Sequence, residues 1–395
     1  MRDTIPRRIL MTADAVGGVW TYALELARAL KPRGTEFALA TMGPKPDAAQ
    51  QSEAARLGNV SLFQNEYRLE WMDEPWHEVD RAGDWLLEIA ERFDPDLIHL
   101  NGYCHAALDW NIPVLVVAHS CVVSWWSAVK GEELRGRYNE YRRRVSAGLA
   151  AADLVVAPTA AMLRSLGQNY GWRGASRVIP NGRDLNEFAP VQKRPFILTA
   201  GRAWDEAKNV AALDRIAADL QWPVFAAGDL QHPGGNATFL PNLHSLGRLR
   251  QQELSRQLGA ASIFAMPARY EPFGLSALEA GLCECALVLG DIPSLREVWG
   301  DAAIFVDPDD DRQLAEIINN LIDAPGWRAE LGRRARQRGL QFPASRTADS
   351  YATAYRELMA RDSRELSDAW TPPNHRPMRR HRSHENRAVL SFACF

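Results

Sequence analysis

Long apolar runs are missing from this chain. Pro113 to Ala118 is only strand-sized, and the Ala-rich stretch from Ala147 is broken by Asp153, so no membrane span is expected. The first apolar run, Ile9 to Met11, is too short for the core of a secretory leader and runs into Gly17-Gly18. An excess of one charge is also absent. Lys plus Arg number 46 against 49 Asp plus Glu, a net −3, so no global field draws the chain onto nucleic acid. A small-molecule or neutral partner fits better. Cysteine is scarce and odd in number, five in 395 residues, which argues against a disulfide framework and for a reducing, cytoplasmic compartment. Cys283 and Cys285 lie two apart, but no second Cys pair or spaced His pair completes a zinc site, so they are expected as buried thiols. No short repeat period is present.

What is there is an alternation of short apolar strands and amphipathic helices, the pattern of parallel sheets covered on both faces. Arg8 to Thr12 reads as the first strand. Val19, Tyr22, Ala23, Leu26 and Leu30 then fall on one helical face, and Phe37 to Thr41 completes a βαβ unit. Further strands are expected at 97–100, 114–117, 154–156 and 177–179, closed by the Pro-Asn-Gly turn at 180–182. A second series starts at Phe196 to Ala200 and continues at 224–227, 263–266, 287–289 and 304–306. The chain is too long for one ordinary domain. The expected division is a first α/β domain at 1–188, a second at 189–343, a last helix at 344–362 with Tyr351, Tyr355 and Leu358 at helical spacing, and a basic, Pro-rich disordered tail at 363–395.

Four places carry chemistry. Glu271-Pro-Phe-Gly-Leu-Ser-Ala-Leu-Glu279 follows a strand and enters a helix near Leu275. Pro272 favours extended backbone at Glu271, and Gly274 allows close approach to the backbone. The free N–H groups of the helix start, at Gly274, Leu275 and Ser276, make an anion site. One carboxylate lies before that site and Glu279 about one turn, roughly 5–8 Å, beyond it. This suits a diphosphate flanked by hydroxyl-bearing groups, although glutamates at helix starts are ordinary. Arg202 follows strand 196–200, and Lys208-Asn209 comes six residues later. Cations at a strand's carboxyl end can clamp a diphosphate, Arg as a fork and Lys as a point charge. Gly17-Gly18 ends the first strand as a close-approach turn. His119 ends the strand at 113–118 and can reach a cleft, with a core histidine as the competing reading.

These pieces in this order resemble the family 4 retaining glycosyltransferases, which have the GT-B fold. The matching features are Glu-x7-Glu at 271 and 279, Gly-Arg…Lys-Asn at 201–209, the early Gly-Gly and Ile-Pro-Asn-Gly at 179–182. The resemblance covers about residues 8 to 361. It implies two Rossmann-like domains facing each other across a cleft, the first on the acceptor side and the second on the donor side, with the last helix crossing back to the first. The partners it implies are a nucleotide-diphosphate sugar as co-substrate and an acceptor that is a saccharide, a lipid-linked sugar or a small molecule, with no other cofactor. Arg202 and Lys208 would neutralise the donor diphosphate. Glu271 would contact the transferred sugar, Glu279 the ribose, and Gly274, Leu275 and Ser276 the phosphates and sugar. His119 would sit at the reaction centre, Gly17 and Gly18 near the diphosphate, and Arg248 and Leu249 beside the base. Two departures from the family pattern stand out: no long Gly-rich ending after Gly228-Asp229, and Cys283-Glu284-Cys285 where relatives often carry Gly or Pro.

No protein nucleophile is assigned. The expectation is metal independence, because Asp94/Asp96 and Asp307/Asp309, the Asp-x-Asp pairs, read as strand-start and turn residues at the wrong sheet ends. Competing readings are a nucleotide-sugar epimerase or hydrolase on the same scaffold, and a non-catalytic sugar- or nucleotide-binding protein. Six tryptophans of the first half, at 71, 76, 85, 110, 125 and 126, are packing groups or sugar platforms. Arg135, Arg137 and Arg142 to Arg144 form a basic stretch whose membrane-contact reading competes with a solvated helix face.

Overall fold

The computed structural model describes residues 5–132, 134, 136–231 and 238–369. Two parallel sheets follow one another along the chain. The first contains β1 (Arg8–Asp14), β2 (Glu36–Met42), β3 (Val60–Gln64), β4 (Leu97–Leu100), β5 (Val114–Val117), β6 (Leu154–Ala157) and β7 (Ser176–Val178), in the order β3-β2-β1-β4-β5-β6-β7. The second contains β8 (Arg194–Ala200), β9 (Val224–Ala227), β10 (His244–Gly247), β11 (Ala261–Met266), β12 (Ala286–Gly290) and β13 (Ile304–Val306), in the order β10-β9-β8-β11-β12-β13.

Residue alternation explains both sheets. In β1, Ile9 and Met11 pack on one face with the helix Gly18–Leu30, whereas Leu10 packs on the other with the helix Trp76–Phe93. In β11, Phe264 and Met266 face one core, and Ile263 and Ala265 face another. Strands apolar on both faces need helices on both sides, as parallel sheets do. The helix Trp76–Phe93 supplies Val79, Ala82, Leu86 and Ile89, a stripe at three- and four-residue spacing. Two strands, β3 and β10, were not expected. Both are half-exposed edge strands, and β10 is four residues long with an irregular register near Gly247, so neither makes an apolar run.

The last helix, Ala344–Ala369, buries Tyr351, Ala352, Tyr355 and Leu358 among Ile9, Trp20 and Leu26 of the first domain. It therefore crosses back. It also outruns its expected end at 362 by about two turns, so residues 363–369 are helix rather than tail; Arg364, Glu365 and Leu366 are good helix formers. Residues 370–395 of the expected tail lie outside the described residues.

Topology fixes where a ligand goes. In each sheet the strand order reverses between two neighbours, β1 and β4 in the first and β8 and β11 in the second. Ligands of doubly wound sheets bind outside the carboxyl ends of the strands at such a point. Both switch points open onto one interdomain hollow of about 2970 Å³.

Candidate active site

Every residue expected in a donor-binding or catalytic role, from Gly17 and Gly18 through His119, Arg202, Lys208 and Arg248 to Glu271 and Glu279, lines that hollow. The donor-side wall begins where β8 ends. Arg202 Nη2 lies 2.8 Å from Asp205 Oδ2, and its guanidinium lies over Trp204, 5.2 Å from the ring centroid. Asn209 takes a left-handed backbone, φ 54°, which Asn tolerates better than most residues. Its amide spans the carbonyls of Pro267 and Pro308 at 3.0 and 2.8 Å, and this bend leaves Lys208 in the cleft. Lys208 Nζ sits 2.6 Å from Glu271 Oε2.

Glu271 has a second duty. Its Oε1 accepts the N–H of Gly274 at 2.9 Å and that of Phe273 at 3.3 Å. This corrects the expectation for Gly274: its amide is committed to Glu271, not presented to a ligand. Leu275 and Ser276 open the helix Leu275–Leu282, and their N–H groups have no intrahelical acceptor. Gly274 still matters as backbone, because φ is 87°, a left-handed value that disfavours side chains. One turn on, Glu279 is buried, with Arg183 Nε 3.0 Å from its Oε1. Burial raises Glu279 above the usual carboxylate range, with Arg183 working against that rise.

The facing wall belongs to the first domain. A Cβ on Gly17 would stand 3.4 Å from Arg202 Nη1, and one on Gly18 3.3 Å from Leu275 Cδ1. This is the close approach that a Gly-Gly turn permits. Asp14, at the end of β1, is raised by burial, with the N–H of Val16, the charge of Arg202 and the N–H of Gly17 opposing it. His119 contacts Asn101 Oδ1 through Nε2 at 2.8 Å, while Asn101 Nδ2 donates 2.7 Å to the Thr12 carbonyl. Asn101 thus accepts, and Nε2 carries the imidazole proton. Burial pushes His119 down to about 3, so the ring is neutral at physiological pH. The core-histidine part belongs to His99, fully buried between Tyr355 and Tyr22 at 2.7 and 3.2 Å. Arg248 Nη1 reaches 3.7 Å from Asp47 across the opening, both half-exposed, and Leu249 packs partly into the second core.

Several contacts in and beside the cleft gave no signal in the sequence, which offered Trp125 only as a packing group or sugar platform. Trp125 Nε1 donates 2.9 Å to Asp205 Oδ1, joining the two walls. Lys130 pairs with Glu206 at 2.6 Å nearby. The Tyr270 hydroxyl accepts the Cys121 N–H at 3.1 Å, and Thr159 donates 3.0 Å to the Pro272 carbonyl. Arg183, immediately after the Pro-Asn-Gly turn, is 1% exposed.

Other expectations resolve locally. Cys283 and Cys285 are buried, and burial pushes their thiols up to about 12 and about 11. The intervening Glu284 has φ 59°, a left-handed site where Gly is the easier residue. The Lys193 ammonium donates to the carbonyls of Ala261 and Cys283 at 2.7 and 2.6 Å. Asp96 accepts the N–H groups of Arg7 and Arg8 at 2.8 and 2.9 Å, at the sheet end away from the cleft. Asp307 and Asp309 correct an expectation, since they follow β13 at its carboxyl end. They sit at the outer edge strand, where Asp309 pairs with Arg269 at 2.6 Å. Among the described residues, no cluster of three or more His, Cys, Asp or Glu is arranged to hold a metal. The described arginines of the basic stretch are tied down: Arg143 pairs with Glu140 at 2.7 Å, Arg144 with Glu140 and Asp80, and Arg142 donates 2.9 Å to the Asn169 carbonyl, while Arg135 and the Arg137 side chain lie outside the described residues. No helix among the described residues is long and apolar enough to cross a membrane.

Two doubly wound sheets that turn their switch points onto one cleft, with a last helix crossing back, define the GT-B class of glycosyltransferases. Residues 16–187 match the model for glycosyltransferase family 4, and residues 184–338 match that for glycosyl transferases group 1. The chain belongs to glycosyltransferase family 4. A D-inositol 3-phosphate glycosyltransferase of Xylanimonas cellulosilytica is 28% identical over 89% of this chain and 94% of that protein. An alpha-maltose-1-phosphate synthase of Mycolicibacterium smegmatis is 27% identical over 65% of this chain and 76% of its own length. Among solved structures, sucrose-phosphate synthase of Thermosynechococcus elongatus has a TM-score of 0.71 at 20% identity, covering 92% of this chain and all (100%) of that one. HepE of Anabaena, solved with UDP and glucose, has a TM-score of 0.69 at 17% identity over 88% of this chain and 99% of its own. At such identities these structures speak for the fold alone.

Proposed function

We propose that the chain is a retaining hexosyltransferase that moves a sugar from a nucleoside-diphosphate sugar to an acceptor hydroxyl without a metal ion. One observation carries this reading. Arg202 and Lys208, at the second sheet's switch point, share a hollow with the unpaired helix-start amides of Leu275 and Ser276. A diphosphate leaving group gains negative charge as the bond to the sugar breaks, and fixed cations and amide dipoles aimed at that charge lower the barrier. Each cation now rests on a carboxylate, Asp205 or Glu271. The donor's oxygens take over part of that role, and Glu271, relieved of Lys208 but still fixed by the Phe273 and Gly274 amides, is placed for sugar hydroxyls. Neutral His119, oriented by Asn101, offers hydrogen bonds on the acceptor side without adding a charge. With no carboxylate assigned as nucleophile, retention follows from front-face attack, a donor phosphate oxygen taking the acceptor's proton.

The relatives named for inositol 3-phosphate and for maltose 1-phosphate support a phosphorylated polyol or sugar as the acceptor. The test is a thermal-shift panel of nucleoside diphosphates and their sugars, followed by transfer assays with the donor that binds. A bound donor raises apparent stability. Stabilisation by a diphosphate sugar with transfer to an acceptor is expected. Donor binding without transfer to any acceptor in a broad panel would instead favour a non-catalytic binder.

A further inference from the structure

The most deeply buried cation among the described residues stands behind the cleft, not in its mouth. Arg183 is 1% exposed, and three carboxylates surround its guanidinium. Glu279 Oε1 lies 3.0 Å from Nε, Glu25 Oε1 3.7 Å from Nη1 and Glu187 Oε2 3.7 Å from Nη2, with the Phe188 ring centroid 5.0 Å from the guanidinium carbon. The backbone here is pinned: Arg183 N–H donates to the Phe342 carbonyl at 3.1 Å, and its own carbonyl accepts the Ala344 N–H at 2.9 Å. Glu25 comes from the first domain, Glu187 from the connection and Glu279 from the helix Leu275–Leu282. The guanidinium is held where both domains and the crossing helix meet.

A buried charge cluster of this kind is a poor source of stability, because desolvation offsets most of the attraction. Its retention calls for another explanation, and Glu279 supplies one. Its Oε1 is the oxygen nearest Arg183, in an ion pair, while Oε2 takes no hydrogen bond from the described residues, and the residue lines the cleft. A carboxylate this buried would take up a proton without a neighbouring cation, and a protonated acid loses much of its power to accept hydroxyl hydrogen bonds.

We infer that Arg183 is a positioning residue for donor recognition: it keeps Glu279 ionised and turns its free oxygen to a vicinal diol, the ribose of a nucleoside diphosphate. The inference rests on the proposed function, since it presumes that a nucleoside diphosphate fills the cleft. It goes further in assigning ribose selectivity to a residue that does not touch the ligand. Glu25 and Glu187 share the same guanidinium and keep it from closing fully on Glu279, which preserves an oxygen for the sugar.

The test is calorimetric binding of UDP, GDP and ADP and of their 2′-deoxy counterparts at neutral pH. The wild type is expected to prefer the ribose form of its best nucleotide by at least about tenfold, the scale of one hydrogen bond to a charged group. R183M narrows that ratio toward unity while diphosphate binding persists; R183K restores part of it. E279Q also narrows it, and R183M adds nothing in the E279Q background, because Arg183 acts through Glu279. Should R183M fail to fold, E25Q/R183M removes one carboxylate with the cation and answers the same question. A folded R183M or E25Q/R183M with the wild-type ribose preference overturns the inference while the proposed function stands. A wild type that binds none of the six nucleotides overturns both.

Discussion

Trp125 and Asp205 meet across the cleft, with the indole N–H donating 2.9 Å to Oδ1 while Oδ2 holds Arg202 at 2.8 Å. One carboxylate therefore links the acceptor-side wall to a cation of the donor side. Burial alone would raise Asp205, but Arg202, Lys208 and the Trp125 and Ala207 N–H groups hold it below the usual carboxylate range. Trp125→Phe removes the indole N–H and keeps most of the ring. Asp205 then leans harder on Arg202, and the closed cleft loses a bond to a charged acceptor, about 1.5–3 kcal/mol. The expected outcome is a fall of about tenfold or more in kcat/KM for the donor with the fold intact. Steady-state kinetics beside circular dichroism checks it, and an unchanged kcat/KM would refute the link.

Lys208 is the sharper case. Lys208→Ala removes the ammonium that faces Glu271 at 2.6 Å, yet Glu271 keeps the Phe273 and Gly274 amides. The loop should therefore stay folded. Turnover at saturating donor is expected to drop roughly 10²–10³-fold, the scale of losing one preorganised donor at a developing charge. A folded variant that turns over at the wild-type rate removes Lys208 from the mechanism.

The contrast between Lys208 and Asp205 shows what a sequence discloses. Arg202 and Lys208 follow a strand that announces itself by Phe196, Ile197 and Leu198, so their place at a carboxyl end is local information. Trp125 and Asp205 are 80 residues apart, and Tyr270 is 149 from Cys121. Such pairs exist only once two separate domains have docked. Arg183 was hidden for a related reason: its neighbours Glu25 and Glu279 come from different domains. The buried strands were legible because both their faces are apolar, whereas β3 and β10 were not, because an exposed edge leaves no unbroken run. The Tyr351, Tyr355, Leu358 stripe was legible as an apolar face, but nothing local says that Ile9 and Trp20 cover it.

Acid should unfold the chain earlier than its carboxylates alone require. Burial holds His99 at about 3, with the charge of His119 adding to it, and burial holds His119 at about 3. In the unfolded chain both return to about 6.5. Between these values the unfolded chain binds protons that the folded one refuses, so stability is complete above about pH 6.5 and falls as the pH drops toward 3. Each histidine contributes at most about 1.4 kcal/mol per pH unit in that window. Urea unfolding at a series of pH values is expected to show this decline, and His99→Gln to flatten it. Equal slopes for the two proteins would contradict the assignment.

Chelation distinguishes a charge clamp built from side chains from one built on a divalent ion. The Asp-x-Asp pairs that could have recruited such an ion are occupied elsewhere: Asp96 secures the backbone of Arg7 and Arg8, and Asp309 secures Arg269. Arg202, Lys208 and the helix start at Leu275 already point positive charge into the cleft. Transfer is therefore expected to proceed at an unchanged rate after exhaustive treatment with EDTA. The loss should appear on changing the cations instead, with Arg202→Gln depressing turnover on the same roughly 10²–10³-fold scale as Lys208→Ala. Abolition of transfer by EDTA and its return with added Mg²⁺ would show that the two side chains do not suffice. The diphosphate would then need a metal carried in with the donor.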